Sequence, residues 1–226
     1  MTAVADAGAA DVSPVSTVWT VVVGAGGGVR FGARKQYERL GDRRVLDLAV
    51  DVARAASAGV VVVVPPEDAV REGAVAGGTT RSESVRAGLA AVPADATIIC
   101  VHDAARPLAS PALFQAVIEA VRAGADGAVP AVPVADTIKF VDAGGAVTDT
   151  PDRSRLVAVQ TPQAFRAEVL RRAHTDAVDG TDDAALVERL GGAVVTVPGE
   201  SWNRKITDPE DLAWAQRWFA SCHRDR

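Results

Sequence analysis

Gly24-Ala25-Gly26-Gly27-Gly28 follows directly on Val18 to Val23, an apolar β-branched run of strand length, and Arg30, Arg34 and Lys35 lie within eleven residues of Gly24. A strand that delivers a loop of side chains this small lets backbone N–H groups come close to an anion, with positive φ values open to the chain. The three cations then fall where the phosphates of a nucleoside triphosphate would lie. The competing reading is a turn carrying solvated charges. Two better-known glycine motifs fail on the same residues. A dinucleotide fingerprint begun at Gly24 meets Val29 at its third glycine, and one begun at Gly26 meets Phe31. A P-loop begun at Gly27 reaches Gly32 but then finds Ala33-Arg34 where Lys-Ser/Thr is required.

A second group lies at the end of another apolar run, where Thr97 to Val101 leads into His102-Asp103-Ala104-Ala105-Arg106-Pro107. An aspartate just past a buried strand can ligate Mg²⁺ carried in on phosphates, because that ion takes one or two carboxylates and fills its shell with phosphate and water oxygens. Arg106 could pair with a further phosphate. Alternatively, Asp103 caps the next turn with Arg106 as its ion-pair partner. His102, His174 and His223 are the only histidines, and no Ser-His-Asp or Cys-His arrangement can be assembled around them. A phosphate monoester nucleophile needs none, since with a second pKa of about 6 it is already largely dianionic at neutral pH. Cations then matter more than bases.

Two further segments carry polar chemistry at helix starts. Trp202 to Leu212 contains Thr207, Asp208 and Pro209, which suit helix initiation, and Lys205, which capping does not explain. Gly77-Gly78-Thr79-Thr80-Arg81-Ser82-Glu83-Ser84 offers small hydroxyls that serve either as caps or as partners for the edge of a base.

The elements that must hold these residues can be read from periodicity. Val18 to Val23, Val60 to Val64, Thr97 to Val101, Gly127 to Val132 and Ala193 to Val197 are continuous apolar runs, the pattern of strands covered on both faces. Helical spacing predicts helices over 45–56, 82–91, 111–123, 166–176, 182–190 and 209–221. The alternation is α/β and doubly wound, which directs attention to the carboxyl ends of the strands. Thr137 to Val141 and Val147 to Thr150 flank Asp142-Ala143-Gly144-Gly145 and predict a polar β-hairpin, either a protruding arm or an edge of the same sheet.

Composition sets the outer bounds. The chain has 226 residues, 48% hydrophobic and 23% charged, with a net charge of −5. That length buries a full core as one domain, and the charge argues against broad nucleic-acid or anionic-membrane binding. Cys100 and Cys222 form no framework, which fits reduced thiols in a cytoplasmic protein. Residues 1–17 lack the basic start and apolar segment of a signal peptide and predict a disordered tail, leaving residues 18–226 as the folded domain. No apolar run is long enough to cross a bilayer.

Taken in order, the glycine loop, Arg30, Lys35-Gln36-Tyr37, Arg81, Ser84-Val85, HDAARP at 102–107, Pro133 to Thr137, Thr161-Pro162-Gln163, Thr181-Asp182 and Asn203 to Leu212 resemble the 2-C-methyl-D-erythritol 4-phosphate cytidylyltransferases of the non-mevalonate isoprenoid pathway. The resemblance implies a three-layer, Rossmann-like nucleotidyltransferase fold with a mostly parallel sheet, a dimerisation arm at about 134–156, and Mg²⁺-dependent transfer of CMP from CTP to the polyol phosphate. It implies that Arg30, Lys35 and Lys205 act on the triphosphate and that Asp103 assists Mg²⁺ and substrate. It further implies that Arg106, Thr137 and, from a second copy in a homodimer, Arg153 surround the methylerythritol phosphate, while Ala25, Gly26, Gly78 and Ser84 surround the cytidine. Ribitol 5-phosphate cytidylyltransferases have similar motifs, and a non-catalytic nucleotide-binding domain is a different class of outcome. Three departures stand out: Gly24 replaces the family's usual Ala, the spacer from Arg30 to Lys35 is short, and Arg34 stands where Pro usually precedes the lysine.

Overall fold

The computed structural model describes residues 17–27, 31–175 and 180–222. The tail expected over residues 1–17 lies outside them except for Thr17, whose carbonyl accepts backbone hydrogen bonds from Thr97 (3.0 Å) and Ile98 (3.3 Å). In chain order the elements are β1 (Val18–Val23), β2 (Arg39–Leu40), β3 (Arg43–Arg44), α1 (Val45–Ala56), β4 (Gly59–Val64), α2 (Ala69–Glu72), β5 (Val75–Ala76), α3 (Arg81–Ala91) and β6 (Ile98–Asp103). There follow α4 (Pro111–Arg122), β7 (Gly127–Pro133), β8 (Phe140–Val141), β9 (Val147–Asp149), β10 (Val157–Val159), β11 (Gln163–Arg166), α5 (Ala167–Ala173), α6 (Asp183–Arg189), β12 (Val194–Pro198) and α7 (Pro209–Cys222).

The main sheet centres on β1 and β6, which run parallel with Val21 opposite Val101 and Val23 opposite Asp103. β4 pairs parallel on the other side of β1, and β5 extends that edge. β11 runs antiparallel between β6 and β7, β10 continues along β7, and β12 pairs parallel with β7. The five continuous apolar runs therefore all become strands of one mostly parallel sheet. Alternation within β1 and β6 splits the core into two layers. Val18, Val22 and Cys100 pack with Leu46, Val50, Phe114 and Val117 of α1 and α4. Val21, Ile99 and Val101 pack with Val85, Leu89, Phe165, Leu170 and Val187 on the opposite face. At Gly88 a Cβ would come within 2.4 Å of the Val21 side chain, so glycine lets α3 lie close on β1.

The segment 157–166 departs from the sequence pattern. Gln160, Thr161 and Pro162 interrupt its apolar character and separate two strands, β10, which pairs along β7, and β11, which fills the slot between β6 and β7. Of the two readings of the hairpin, the structure gives the arm. β8 and β9 pair only with each other, as a separate two-stranded sheet, and Phe140, Val141 and Val147 are 57%, 59% and 60% exposed. Asp142 Oδ1 closes its turn by accepting from the backbone N–H groups of Gly144 and Ala146, both at 2.9 Å.

Candidate active site

A cleft of about 320 Å³ opens at the carboxyl ends of β1 and β6. Its position follows from the register that puts Val23 beside Asp103, with Gly24 N–H donating to Val63 O at 2.7 Å and Ala104 N–H to Val23 O at 2.9 Å. Gly24 to Gly27, Lys35, Gly78, Arg81, Ser84, Asp103 and Lys205 all line it. Side chains at Gly26 and Gly27 would meet nothing within 4 Å, so that wall of the cleft is bare backbone. A Cβ at Gly77 would lie 2.4 Å from Ala25 Cβ, a close approach that packs the loop before α3 against the loop after β1. Positive φ values, expected in the glycine loop, do not occur at Gly24, Gly26 or Gly27; Gly32, at φ 78°, is the left-handed residue before Lys35.

The cations do not all face the cleft. Arg30 lies outside the described residues. Arg34, expected beside the phosphates, turns away instead: its guanidinium bonds Glu67 and Asp68, drawn there by a buried carboxylate that also accepts from Tyr37 Oη at 3.0 Å and pairs with Arg71 at 3.0 Å. Lys35 begins a short 3₁₀ turn, Lys35–Tyr37, and lines the cleft, as does its buried neighbour Gln36, which sequence reasoning gave no role.

The loop before α3 does use its hydroxyls as caps. Thr80 Oγ accepts from Glu83 N–H at 3.1 Å, and Glu83 Oε2 accepts from Thr80 N–H at 3.1 Å, a reciprocal box that satisfies the first turn. Ser84, buried, donates to Thr80 O (3.0 Å) and accepts from Gly78 N–H (3.2 Å). These bonds fix the small-residue wall formed by Gly78 and Ser84.

Asp103 is the centre of the charge arrangement. Lys205 Nζ lies 2.7 Å from its Oδ2 and Arg81 Nε 3.3 Å from its Oδ1. Arg81 continues to Asp183 Oδ2 at 2.8 Å, and Asp183 Oδ1 meets His174 Nε2 at 3.0 Å. Burial pushes the Asp103 carboxyl up, but Arg81, Lys205 and Arg106 outweigh it and hold the group well below the usual carboxylate range. For Arg81, burial opposes the charge and the two aspartates more than offset it, so its affinity for the proton rises. Arg81 and Asp183 are additions to the sequence-derived site; Arg81 belongs to a quoted motif segment and Asp183 directly follows one, but only the fold shows that residues 81, 103 and 183 meet.

Beneath Asp103 lies a neutral layer. Its backbone N–H donates to Thr161 Oγ at 3.0 Å, Thr161 Oγ lies 3.1 Å from His102 Nδ1, and His102 Nε2 lies 3.2 Å from Arg106 O. One arrangement satisfies all three: the Thr161 hydroxyl donates to Nδ1 and the protonated Nε2 donates to the carbonyl. Complete burial lowers the His102 pKa to about 4, consistent with a neutral ring.

Three sequence-predicted residues are not brought into the cleft lining. Arg106 spends its guanidinium on backbone carbonyls, Nη1 to Asn203 O at 2.7 Å and Nη2 to Val159 O at 3.4 Å. Thr137 is exposed at the base of the arm, and Arg153, also exposed, donates to Ala135 O at 2.7 Å. Thr137 and Arg153 flank the arm, whose strands pair outside the main sheet.

The sequence model of the family described as IspD, 2-C-methyl-D-erythritol 4-phosphate cytidylyltransferase, matches residues 18–221. The chain belongs to the IspD family. It is therefore a nucleotidyltransferase. It is 47% identical over 216 residues to the 2-C-methyl-D-erythritol 4-phosphate cytidylyltransferase of Nocardia farcinica, covering 88% of this chain and 93% of that one. With the enzyme of the same name from Streptomyces coelicolor it shares 45% identity, over 92% of this chain and 86% of the relative. Among solved IspD structures, the Thermus thermophilus 2-C-methyl-D-erythritol 4-phosphate cytidylyltransferase superposes with a TM-score of 0.75 at 35% identity, covering 88% of this chain and 96% of that one. The 4-diphosphocytidyl-2C-methyl-D-erythritol synthase of Anaerococcus prevotii gives 0.80 at 28% identity, over 91% and 99%. The three-layer nucleotidyltransferase fold is thus the fold of this IspD chain.

Proposed function

We propose that an oxygen of the phosphate of 2-C-methyl-D-erythritol 4-phosphate attacks the α-phosphorus of CTP in line, forming a P–O bond as the bond to the pyrophosphate leaving group breaks. The products are 4-diphosphocytidyl-2-C-methyl-D-erythritol, an isoprenoid precursor, and pyrophosphate. The observation that carries this reading is one cleft, in an IspD chain, in which bare glycine backbone faces Lys35, Lys205, Arg81 and Asp103. The nucleophile is already anionic, so catalysis consists of positioning and of stabilising charge that grows on the α-phosphate and the departing pyrophosphate. Lys35, Lys205 and Arg30 supply that charge. Ala25, Gly26, Gly78 and Ser84 form the wall for the cytidine, whose small residues suit a pyrimidine. Arg106, Thr137 and, from a second copy, Arg153 hold the acceptor phosphate, which makes the working unit a homodimer joined through the arm.

Asp103 is the one carboxylate among the described lining residues, and no group of three or more His, Cys, Asp or Glu side chains among the described residues forms a metal cage. Such a donor set fits a Mg²⁺ ion held chiefly by the triphosphate, with Asp103 as its protein ligand. That ion would neutralise phosphate charge. No described helix is long and apolar enough to cross a membrane, and both cysteines are free, in keeping with work in the cytoplasm. The test is pyrophosphate release with CTP and Mg²⁺ in the presence of 2-C-methyl-D-erythritol 4-phosphate or ribitol 5-phosphate. Turnover with the first and not the second is expected. Preference for ribitol 5-phosphate would overturn the acceptor, and turnover with neither would overturn catalysis.

A further inference from the structure

Lys205 is presented by a segment that is gripped from two sides. On the inner side, Asn203 and Ile206 are fully buried, Asn203 Nδ2 donating to Thr161 O at 2.9 Å and Ile206 N–H to Ala105 O at 2.8 Å. On the outer side, the two residues that point the other way, Trp202 and Arg204, both land on α7. Trp202 stacks on Trp218 with ring centroids 5.9 Å apart and planes 10° from parallel, and Trp218 stacks on Trp214 at 5.8 Å and 11°. Arg204 lies over the Trp214 ring at 4.7 Å from its centroid and pairs with Asp211 at 3.6 Å. Asp211, Trp214 and Trp218 follow one another at helical spacing on one face of α7. Asp211 Oδ2 also accepts from Thr207 N–H at 2.9 Å, just beyond the lysine.

We propose that this aromatic face of α7 is a positioning device for Lys205. Trp218, at the middle of the three-ring stack, and Trp214, beneath Arg204, hold the residues on either side of the Asn203 anchor. Lys205 is thereby delivered to Asp103 with little freedom to leave. Three of the chain's four tryptophans are spent on this contact, although Trp202 and Trp218 are each 37% exposed, so core burial alone does not account for them. An offset aromatic pair is favourable beyond the area it buries, and a guanidinium over an indole face is favoured by the ring quadrupole. The ring stack carries no net charge and is largely insensitive to salt, unlike an exposed ion pair, which suits a loop whose working group is a cation next to a polyphosphate. The proposal rests on the reading of Lys205 as a group that acts on the triphosphate.

The test uses the full-length protein and the variants Trp218→Ala, Trp218→Phe and Lys205→Ala, with Trp202→Ala as a loop-side variant should the helix substitution fail to fold. Trp218→Ala is expected to lower kcat roughly three- to tenfold, the range allowed by loss of its one pair with the loop, that to Trp202, with KM for CTP nearly unchanged. Trp218→Phe restores most of that loss. In a Lys205→Ala background the same Trp218→Ala change has no further effect on kcat, because the group being positioned is gone. Backbone hydrogen exchange of residues 199–207, measured without substrates, is expected to quicken in Trp218→Ala. This last measurement separates the two readings: an inactive wild type, with exchange that still quickens in Trp218→Ala, would overturn the proposed reaction and leave the clamp standing. Unchanged kcat and unchanged exchange in folded Trp218→Ala would overturn the clamp. An equal loss of kcat with and without Lys205 would overturn its link to the lysine.

Discussion

The cleft and the hairpin arm are built by opposite rules. Asp103 is nearly enclosed, and every group around it comes from a different element: Arg81 from the start of α3, Lys205 from the segment before α7, Thr161 from the start of the β11 region. The arm pairs only with itself and exposes Phe140, Val141 and Val147 on a scaffold that no other described element covers. Such a charge arrangement holds its geometry in a single chain, because its buried carboxylates, Asp103 and Asp183, have already given up water for partners. An exposed apolar hairpin gains little from its own chain and most from whatever covers it. The cleft should therefore respond to changes in chemistry, and the arm to changes in assembly.

The largest expected effect lies in the cleft. Lys35→Ala should cut kcat on the order of a hundredfold or more, the usual size of one lost transition-state contact, while raising KM for CTP much less. Lys35→Arg should recover little, because a broad planar fork replaces a compact point charge. Steady-state kinetics check both. A folded Lys35→Ala protein with near-normal kcat would mean that this lysine is only a solvated charge near the cleft.

The next effect concerns the floor of the cleft and has no counterpart in the arm. His102 is buried and its pKa is lowered from 6.5 to about 4, so the unfolded chain binds a proton that the folded chain refuses. Its contribution to stability is complete above pH 6.5 and is lost as pH falls towards 4, a change on the order of 3 kcal/mol. Asp103, depressed further, adds its loss only at lower pH. Urea unfolding at pH 7.5, 5.5 and 4.5 should show this decline, and His102→Gln, though less stable at neutral pH, should decline less steeply. Equal slopes in the two proteins would remove His102 from the account.

How much of this could be read in advance depends on how local each cause is. The strands of the sheet centre were legible because β-branched runs such as Val18 to Val23 and Val60 to Val64 declare burial on both faces without reference to anything distant. Asp103 was legible as a candidate because it stands at the exit of an apolar strand, and Lys205 because helix capping does not explain it. The strands within 157–166 were not legible, since Gln160, Thr161 and Pro162 break the pattern between them and β10 and β11 form only by pairing with β7 and β6. Nor was the direction of Arg34, which is decided by Asp68, 34 residues further on. The hairpin itself was plain from its Asp-Ala-Gly-Gly turn, whereas its separation from the sheet depends on where β7 ends. Spacing along the chain reveals an element; which partner an element or charge chooses is a property of the fold.

The arm should be tested by assembly. If Arg153 serves the site of a second copy, Arg153→Ala and Lys35→Ala proteins that are each weak should complement when their subunits are mixed. Random exchange makes half the dimers mixed, each with one intact site of two, so about a quarter of wild-type activity is expected. Absence of recovery after exchange has been verified by mass spectrometry would return Arg153 to a purely local role, its bond to Ala135 O.

The smallest effect sharpens the comparison inside the cleft itself, because one of its supports follows the rule of the exposed surface. Arg34 stands where the family resemblance leads one to expect proline before the lysine, and it ties that turn to Glu67 and Asp68 by an ion pair in place of a rigid ring. Its side chain is 39% exposed and that of Glu67 57%, so water and salt screen the pair, while Asp68 at 4% keeps a second tether in the Tyr37 hydroxyl 3.0 Å away. An exposed pair is worth about 0.2–1 kcal/mol, which caps the effect on rate at roughly fivefold. Arg34→Ala should thus lower kcat two- to fivefold at low salt, and the gap from wild type should narrow as salt rises towards about 1 M, where screening reaches contact distance. A salt-independent loss of a hundredfold would show that Arg34 meets the triphosphate directly after all, with the tether to Asp68 given up when CTP binds.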